Sequence, residues 1–139
     1  MKMNRIYGIF RPASLIIVAL VVGLAVNAGA YEMRSNRENR VRVDVKPVQL
    51  SPGQPARFEV RMNTHSEALG EDMVAVSTLK DNEGRKYQAT AWQGSAPGGH
   101  HRKGVLEFPV IGDNTASITL IIKGIANVPE RIFKWPVEH

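Results

Sequence analysis

From residue 41 to the end of the chain, apolar and polar residues alternate in short runs with a period of two. Val41, Val43 and Val45 alternate with Arg42 and Asp44, which is the pattern of a strand with one buried face. Similar runs, separated by turns rich in Gly, Pro and Asn, predict strands over 41–50, 56–62, 72–80, 85–92, 105–110, 117–123 and 131–137. No stretch after residue 30 sustains the period of an amphipathic helix.

Seven short strands at roughly ten-residue spacing are typical of two packed antiparallel sheets. The sequence therefore predicts an all-β fold, an immunoglobulin-like antiparallel β-sandwich formed by residues 41–139 as one domain. Phe133 and Trp135 share one face of the last strand and, like Met62 on its own strand, are expected in the core. Residues 31–40 are polar and without pattern, which indicates a linker.

The first 30 residues have the layout of an export signal. A basic stretch precedes an apolar run over 15–26, which ends in the small residues 27–30. This layout predicts a secretory signal peptide that is cleaved after Ala30. The alternative is an uncleaved hydrophobic helix that anchors the chain in the membrane, because residues 13–30 are nearly long enough to span a bilayer. Both alternatives place the remainder of the chain in the periplasm or outside the cell.

Charge and cysteine content narrow the classes of function. The whole chain has 18 basic and 13 acidic residues, a net charge of +5, and no cysteine. Three of the basic residues and none of the acidic ones lie in the first 30 residues, so the remainder has a net charge of only +2. This charge gives little support to nucleic-acid binding. Without cysteine there is no thiol for a lipid anchor, and a metal site must use His, Met and carboxylate ligands.

The longer loops are expected at one end of the sandwich, because consecutive antiparallel strands reverse direction and alternate connections cluster at opposite ends. One end receives the short turns 51–55, 81–84 and 111–116. The other end receives the N-terminal tether and the longer segments 63–71, 93–104 and 124–130. This arrangement predicts that His65 lies at the same end as His100 and His101, provided that two strands separate them.

The histidine-containing loops are a candidate metal site. Imidazole and thioether groups suit copper, so the candidate ligands are His65, His100 and His101, with Met73 and Asp72 as weaker candidates. Zinc would also fit three histidines with an open position and ranks below copper. The alternative is that the loops are structural, since adjacent histidines on an extended backbone point to opposite sides.

The same end is also a candidate docking surface for a larger envelope partner, with Trp92, Arg102 and Lys103 as anchors. An exposed aromatic ring beside cationic groups can contact a protein or an anionic surface such as lipid headgroups or polysaccharide. The alternative is that Trp92 ends a strand inside the core and that Arg102 and Lys103 form a solvated turn. Ser66 and Ser95 are near histidines in the sequence, but neither lies in a nucleophile elbow, so no enzymatic activity is expected.

In compartment, size and donor type, the nearest comparison is with periplasmic copper-handling proteins of β-sandwich fold. Their ligand motifs do not match this chain residue by residue, so no family is assigned. The sequence as a whole predicts a non-enzymatic, exported binding module. Its ligand is expected to be copper, or zinc, held by the histidine-containing loops, or else an envelope protein docked on the same loops.

Overall fold

The computed structural model describes residues 31–139, so the expected signal peptide or anchor at residues 1–30 lies outside the described residues. In chain order the strands are β1 (Arg34–Glu38), β2 (Val41–Gln49), β3 (Pro55–Thr64), β4 (Ser77–Asp81), β5 (Lys86–Gln88), β6 (Ala91–Gly94), β7 (His101–Val110), β8 (Ser117–Lys123) and β9 (Glu130–Pro136). The helical elements are α1 (Met73–Val76) and a 3-10 turn (Ile125–Asn127). Among residues 31–139, no helix combines the length and the apolar character needed to cross a membrane.

The strands form two sheets, with the order β1-β2-β3-β7-β6 in the first and β5-β4-β8-β9 in the second. Every neighbouring pair of strands is antiparallel. The prediction of an all-β fold with two antiparallel sheets is therefore confirmed.

The hydrophobic core lies between the two sheets. Its centre is Phe58 on β3, whose ring meets Phe108 edge-on at 5.8 Å between centroids and lies 5.6 Å from Trp135. Met62, Phe133 and Trp135 are buried, as predicted. The alternation of the sequence explains this arrangement, because successive side chains of a strand point to opposite faces of its sheet.

The segment 31–40, which was expected to be a linker, contains β1. Asn39 and Arg40 form the tight turn between β1 and β2, with φ angles of 45° and 66° and with Glu38 paired to Val41. Positive φ at both central residues is the geometry that joins twisted strands in a two-residue hairpin. The polar side chains of β1 concealed this strand, because it lies at the edge of the sheet and most of its side chains are exposed.

Two further strands differ from prediction. The predicted strand 85–92 is divided at residues 89–90, where the chain leaves the second sheet after β5 and enters the first sheet as β6. The predicted strand 72–80 begins instead as α1, because the Asp72 carboxylate accepts hydrogen bonds from the backbone N–H groups of Val74 and Ala75. An N-cap of this kind satisfies donors that a helix leaves free.

The extra strand β1 also moves the point at which the chain enters the domain. The Tyr31 hydroxyl donates to the Leu50 carbonyl at 2.8 Å, and Leu50 directly follows the end of β2. Tyr31 therefore lies at the end of the sandwich away from the β1–β2 turn. The expectation that the N-terminal tether lies beside the histidines is wrong, because it omitted one strand.

Candidate functional site

His65, His100 and His101 lie at one end of the sandwich, which we name the hairpin pole. The pole consists of the β1–β2 turn at 39–40 and the segments 63–71, 94–101 and 124–130. The backbone N–H of Thr64 donates to the His100 carbonyl at 3.0 Å, so the predicted proximity of the three histidines is confirmed. Between His65 and His100 the chain crosses the sandwich twice, through β4 and then through β5 and β6, and the direct pairing of β3 with β7 brings the two segments into contact.

Two loops of the hairpin pole hold each other by backbone hydrogen bonds. The Gly98 N–H donates to the Leu69 carbonyl at 2.8 Å, and the Leu69 N–H donates to the Gly99 carbonyl at 3.2 Å. Gly98 and Gly99 have φ angles of 107° and 74°, a conformation that glycine adopts without steric cost. The two glycines thus allow a rigid contact between segments that are distant in sequence.

Arg102 fixes the segment 63–71 from the buried side. Its side chain is buried, and its Nη1 donates to the carbonyls of Leu69 at 3.0 Å and Glu71 at 2.8 Å. Burial lowers the pKa of Arg102, while the Glu71 and Asp72 carboxylates act in the opposite direction; the guanidinium remains charged at neutral pH. The expectation of Arg102 as a surface anchor is therefore wrong, because its donors serve buried loop carbonyls.

The other two expected anchors have different surroundings. Trp92 is partly buried, its Nε1 donates to the Ser95 carbonyl at 2.9 Å, and the Arg102 guanidinium lies 5.5 Å from its ring centroid. Lys103 is exposed, and its Nζ lies 4.0 Å from a carboxylate oxygen of Glu59. Of the three expected anchors, Lys103 is the one that presents a charge to solvent.

The weaker candidate metal ligands are used elsewhere in the fold. Met73 is only 1% exposed and packs in the core, and the Asp72 carboxylate caps α1. His65, His100 and His101 are exposed. Among residues 31–139, no three His, Cys, Asp or Glu side chains are grouped so that they could hold one metal ion.

One histidine has a defined ring orientation. His101 Nδ1 lies 2.8 Å from the Asn63 amide oxygen, and the two residues are direct cross-strand partners on β7 and β3. Because an amide oxygen only accepts hydrogen bonds, His101 Nδ1 is the donor in this contact, and the other ring nitrogen, Nε2, takes no part in it.

The main concave surface of the hairpin pole is a cleft that the sequence did not predict. It has a volume of about 540 Å³ and, besides neutral side chains, is lined by three arginines, two histidines and one carboxylate. We name it the arginine cleft, and its lining residues are Arg37, Arg40, Arg42, Asp44, Asn63, Thr64, His65, Ser66 and His101.

The register of the first sheet explains why these side chains meet. Arg37 of β1 pairs with Arg42 of β2, Arg42 pairs with Asn63 of β3, and Asn63 pairs with His101 of β7. Directly paired residues project from the same face of a sheet. These four side chains thus form one row across four strands, on the face that points away from the core. Arg40 lies beside this row at the tight turn.

The arginines of the cleft differ in how far they are neutralised. Arg42 Nε lies 2.8 Å from the Asp44 carboxylate, and Arg40 lies 3.9 Å from Glu67. Arg37 forms no ion pair with any residue in the range 31–139. With three guanidinium groups and one carboxylate in its lining, the cleft has an excess positive charge that solvent or a ligand must balance.

Sequence reasoning missed this cleft because it assigned residues 31–40, which include Arg37 and Arg40, to a linker. A signal was present, since Arg34, Arg37 and Arg40 recur at every third position and Arg42 follows. It becomes meaningful only when a hairpin folds Arg37 beside Arg42. The chain matches no protein-family model, no curated protein and no solved structure, so its function must be argued from the chemistry of the site.

Proposed function

We propose that this chain is an exported, non-enzymatic binding module that takes an anionic ligand in the arginine cleft. The observation that carries the proposal is the row formed by Arg37, Arg42, Asn63 and His101, with Arg40 beside it. Planar guanidinium groups match carboxylate, sulfate and phosphate groups, to which they donate pairs of parallel hydrogen bonds.

The surroundings of the cleft support binding rather than catalysis. The one carboxylate in the lining, Asp44, already accepts hydrogen bonds from the Ser35 hydroxyl and from Arg42, so it is not free to act as a general base. The cleft volume of about 540 Å³ lies in the range of small-molecule sites. Thr64 at its floor is held by the N–H groups of Ser66 and Glu67, which makes this side of the cleft rigid.

Export and the finer fold class are part of the same proposal. The basic and apolar character of residues 1–30 supports an export signal or a membrane anchor. The crossing of the chain between sheets at residues 89–90 supports an immunoglobulin-like sandwich, in which loops gathered at one end carry the ligand site. The periplasm or the cell surface is then the compartment in which the ligand is met.

The test is a calorimetric titration of the purified chain with galacturonate, and with galactose as the uncharged counterpart. We expect galacturonate to bind and galactose not to bind, and the double variant R37Q/R40Q to bind galacturonate at least tenfold more weakly. The matched control is K80Q/K123Q, which removes the same charge from two exposed lysines on the second sheet. Equal losses in the two variants would contradict a local site.

A second candidate function is copper binding, or zinc binding, at the same pole. One observation favours it: the contact between His101 Nδ1 and Asn63 leaves Nε2 of the ring available, and such a second-shell hydrogen bond is typical of ligating histidines. His65 lines the same cleft as His101, and His100 directly precedes His101 in the sequence.

The metal candidate is tested by titrating Cu(II) into the wild type and into the variant H65A/H101A. Stoichiometric binding that is lost in the variant would support it. Binding that is equal in the two proteins would contradict it. A chelator separates the two candidate functions. Galacturonate binding that persists in its presence supports the anion site, because the arginine cleft needs no metal to hold an anion.

A further inference from the structure

A second row of charged side chains lies beside the first on the outer face of the same sheet. Asp44 pairs with Arg61, and Arg61 pairs with Lys103. Arg61 and Lys103 are both more than half exposed, at 51% and 60% of their side-chain surfaces. Because strand residues two apart share a face, this row and the arginine cleft form one continuous surface.

Positive charge on this face decreases with distance from the hairpin pole. The row that contains Arg37 and Arg42 has a net charge of +2, and the row that contains Asp44, Arg61 and Lys103 has a net charge of +1. In each of the next two rows the formal charges of the directly paired residues sum to zero, since Lys46 is opposite Glu59 and Arg57 is opposite Glu107. The positive surface is therefore confined to two rows and runs across the strands.

The carboxylates that face these rows reduce their charge without removing it. Glu59 lies 2.6 Å from Arg61 and 4.0 Å from Lys103, so one carboxylate is shared by two cations. Asp44 is only 8% exposed and is bound to Arg42. Each carboxylate is less exposed than the cations that it contacts, at 28% against 51% and 60% for Glu59 and at 10% against 42% for Asp44, so the cations of both rows stay accessible to an extended anion.

We propose that the natural ligand is an acidic polysaccharide that lies across β1, β2, β3 and β7, with one anionic group in the arginine cleft and a later one at Arg61 and Lys103. This inference rests on the proposed function and deepens it. Strands lie about 4.8 Å apart, so the surface from β1 to β7 is roughly 14 Å wide. This width exceeds one sugar and suits a short run of them.

The neutral groups on the surface favour a saccharide over a nucleic acid. The Asn63 amide nitrogen and the exposed Ser66 side chain stand among the arginines and can bond sugar hydroxyl groups. No Phe, Tyr or Trp side chain lines the arginine cleft, whereas proteins that hold single-stranded nucleic acid stack its bases mainly on such large aromatic rings.

The experiment measures how affinity depends on ligand length. Mono-, tri- and hexagalacturonate are titrated into the wild-type chain at fixed salt, together with maltohexaose as a neutral oligomer and oligothymidylate as a nucleic acid. We expect trigalacturonate to bind at least tenfold more tightly than the monomer. We expect the variant R61Q/K103Q to lose most of this gain, and K80Q/K123Q to keep it.

The outcomes separate this inference from the proposed function. If the monomer binds but longer oligomers bind no more tightly, the extended site is refuted and the arginine cleft stands. If no galacturonate of any length binds, the proposed function fails as well. Binding of maltohexaose equal to that of hexagalacturonate would refute charge recognition. Binding of oligothymidylate as tight as that of hexagalacturonate would refute the polysaccharide as ligand.

Discussion

Arg131 links the second sheet to the hairpin that carries the arginine cleft. Its side chain lies on β9 and is completely buried. It donates four hydrogen bonds: Nη1 to the Asn36 amide oxygen and the Val41 carbonyl, and Nη2 to the carbonyls of Glu38 and Ile125. Three of these four acceptors belong to the hairpin: Asn36 and Glu38 are in β1 and Val41 is in β2. Loss of Arg131 should therefore weaken the attachment of the whole hairpin.

The cost of R131M follows from what the methionine leaves behind. Three backbone carbonyls lose a charged donor, and a hydrogen bond to a charged group contributes about 1.5–3 kcal/mol. Part of this loss is offset, because methionine carries no charge that must be desolvated. The desolvation of Arg131 is seen in its pKa, which burial lowers, while the Glu38 and Glu71 carboxylates act in the opposite direction. We expect a net loss of about 3 kcal/mol in the free energy of unfolding. For a domain of this size the melting temperature then falls by about 15 °C.

The assay is urea unfolding followed by tryptophan fluorescence, with K134M as the control. Lys134 is an exposed residue of the same strand, so this variant removes the same charge without touching the buried network. A slope of about 1–1.5 kcal/mol per molar urea converts the expected loss into a midpoint lower by about 2–3 M. If the free energies of unfolding of R131M and K134M differ by less than about 1 kcal/mol, the hydrogen bonds of Arg131 do not hold the hairpin and the reasoning is refuted.

Two glycine substitutions test the packing and the backbone of the hairpin pole. A Cβ at position 104 would lie 2.6 Å from the Trp92 ring, so G104A should cost about 1–3 kcal/mol of stability and shift the Trp92 fluorescence; unchanged stability would show that the ring moves freely. Gly99 has a φ of +74° and open space around its Cα, whereas Gly70 has open space without a positive φ. In urea unfolding, G99A should lose about 1 kcal/mol while G70A should not, and equal effects would show that backbone strain is not the cause.

The strands that the sequence predicts well are those with one buried face. On β3 and β8 every second residue is buried, and all of these buried residues except Thr64 are apolar. Burial of one face is what forces this alternation, so the pattern reports the structure directly. β1 buries almost nothing, and the segment that leads into it is held by groups far along the chain, such as Trp135 Nε1, which donates to the Glu32 carbonyl at 2.7 Å. A local pattern carries no signal for such contacts.

The division of the predicted strand 85–92 shows a second limit of pattern reasoning. Ala89 is buried at the point where the chain passes from one sheet to the other. Apolar residues therefore continue at alternate positions through the crossing. Alternation shows which side chains face the core, but both sheets face the same core, so it cannot show to which sheet a strand belongs.

The sequence predicted at which end of the sandwich the histidines lie, but it did not predict the arginines that line the cleft there. The histidines meet at one pole because loops of antiparallel strands gather there. Arg102 and Arg131 look like surface residues in the sequence, and both are buried because clusters of backbone carbonyls need a charged donor. Of the cleft arginines, Arg37 and Arg40 lie in a segment that the sequence predicts as a linker, and Arg42 lies on the polar face of a predicted strand. Charge alone did not distinguish the two groups.

The most direct test of the central claim is to locate bound anion by amide chemical-shift mapping during a galacturonate titration. The arginine cleft predicts saturable shifts at Arg37, Arg40, Asn63 and His101. It also predicts no shifts on the outer face of the second sheet. Shifts confined to that second sheet, or no saturable shifts at the hairpin pole, would contradict the claim that this cleft is the ligand site.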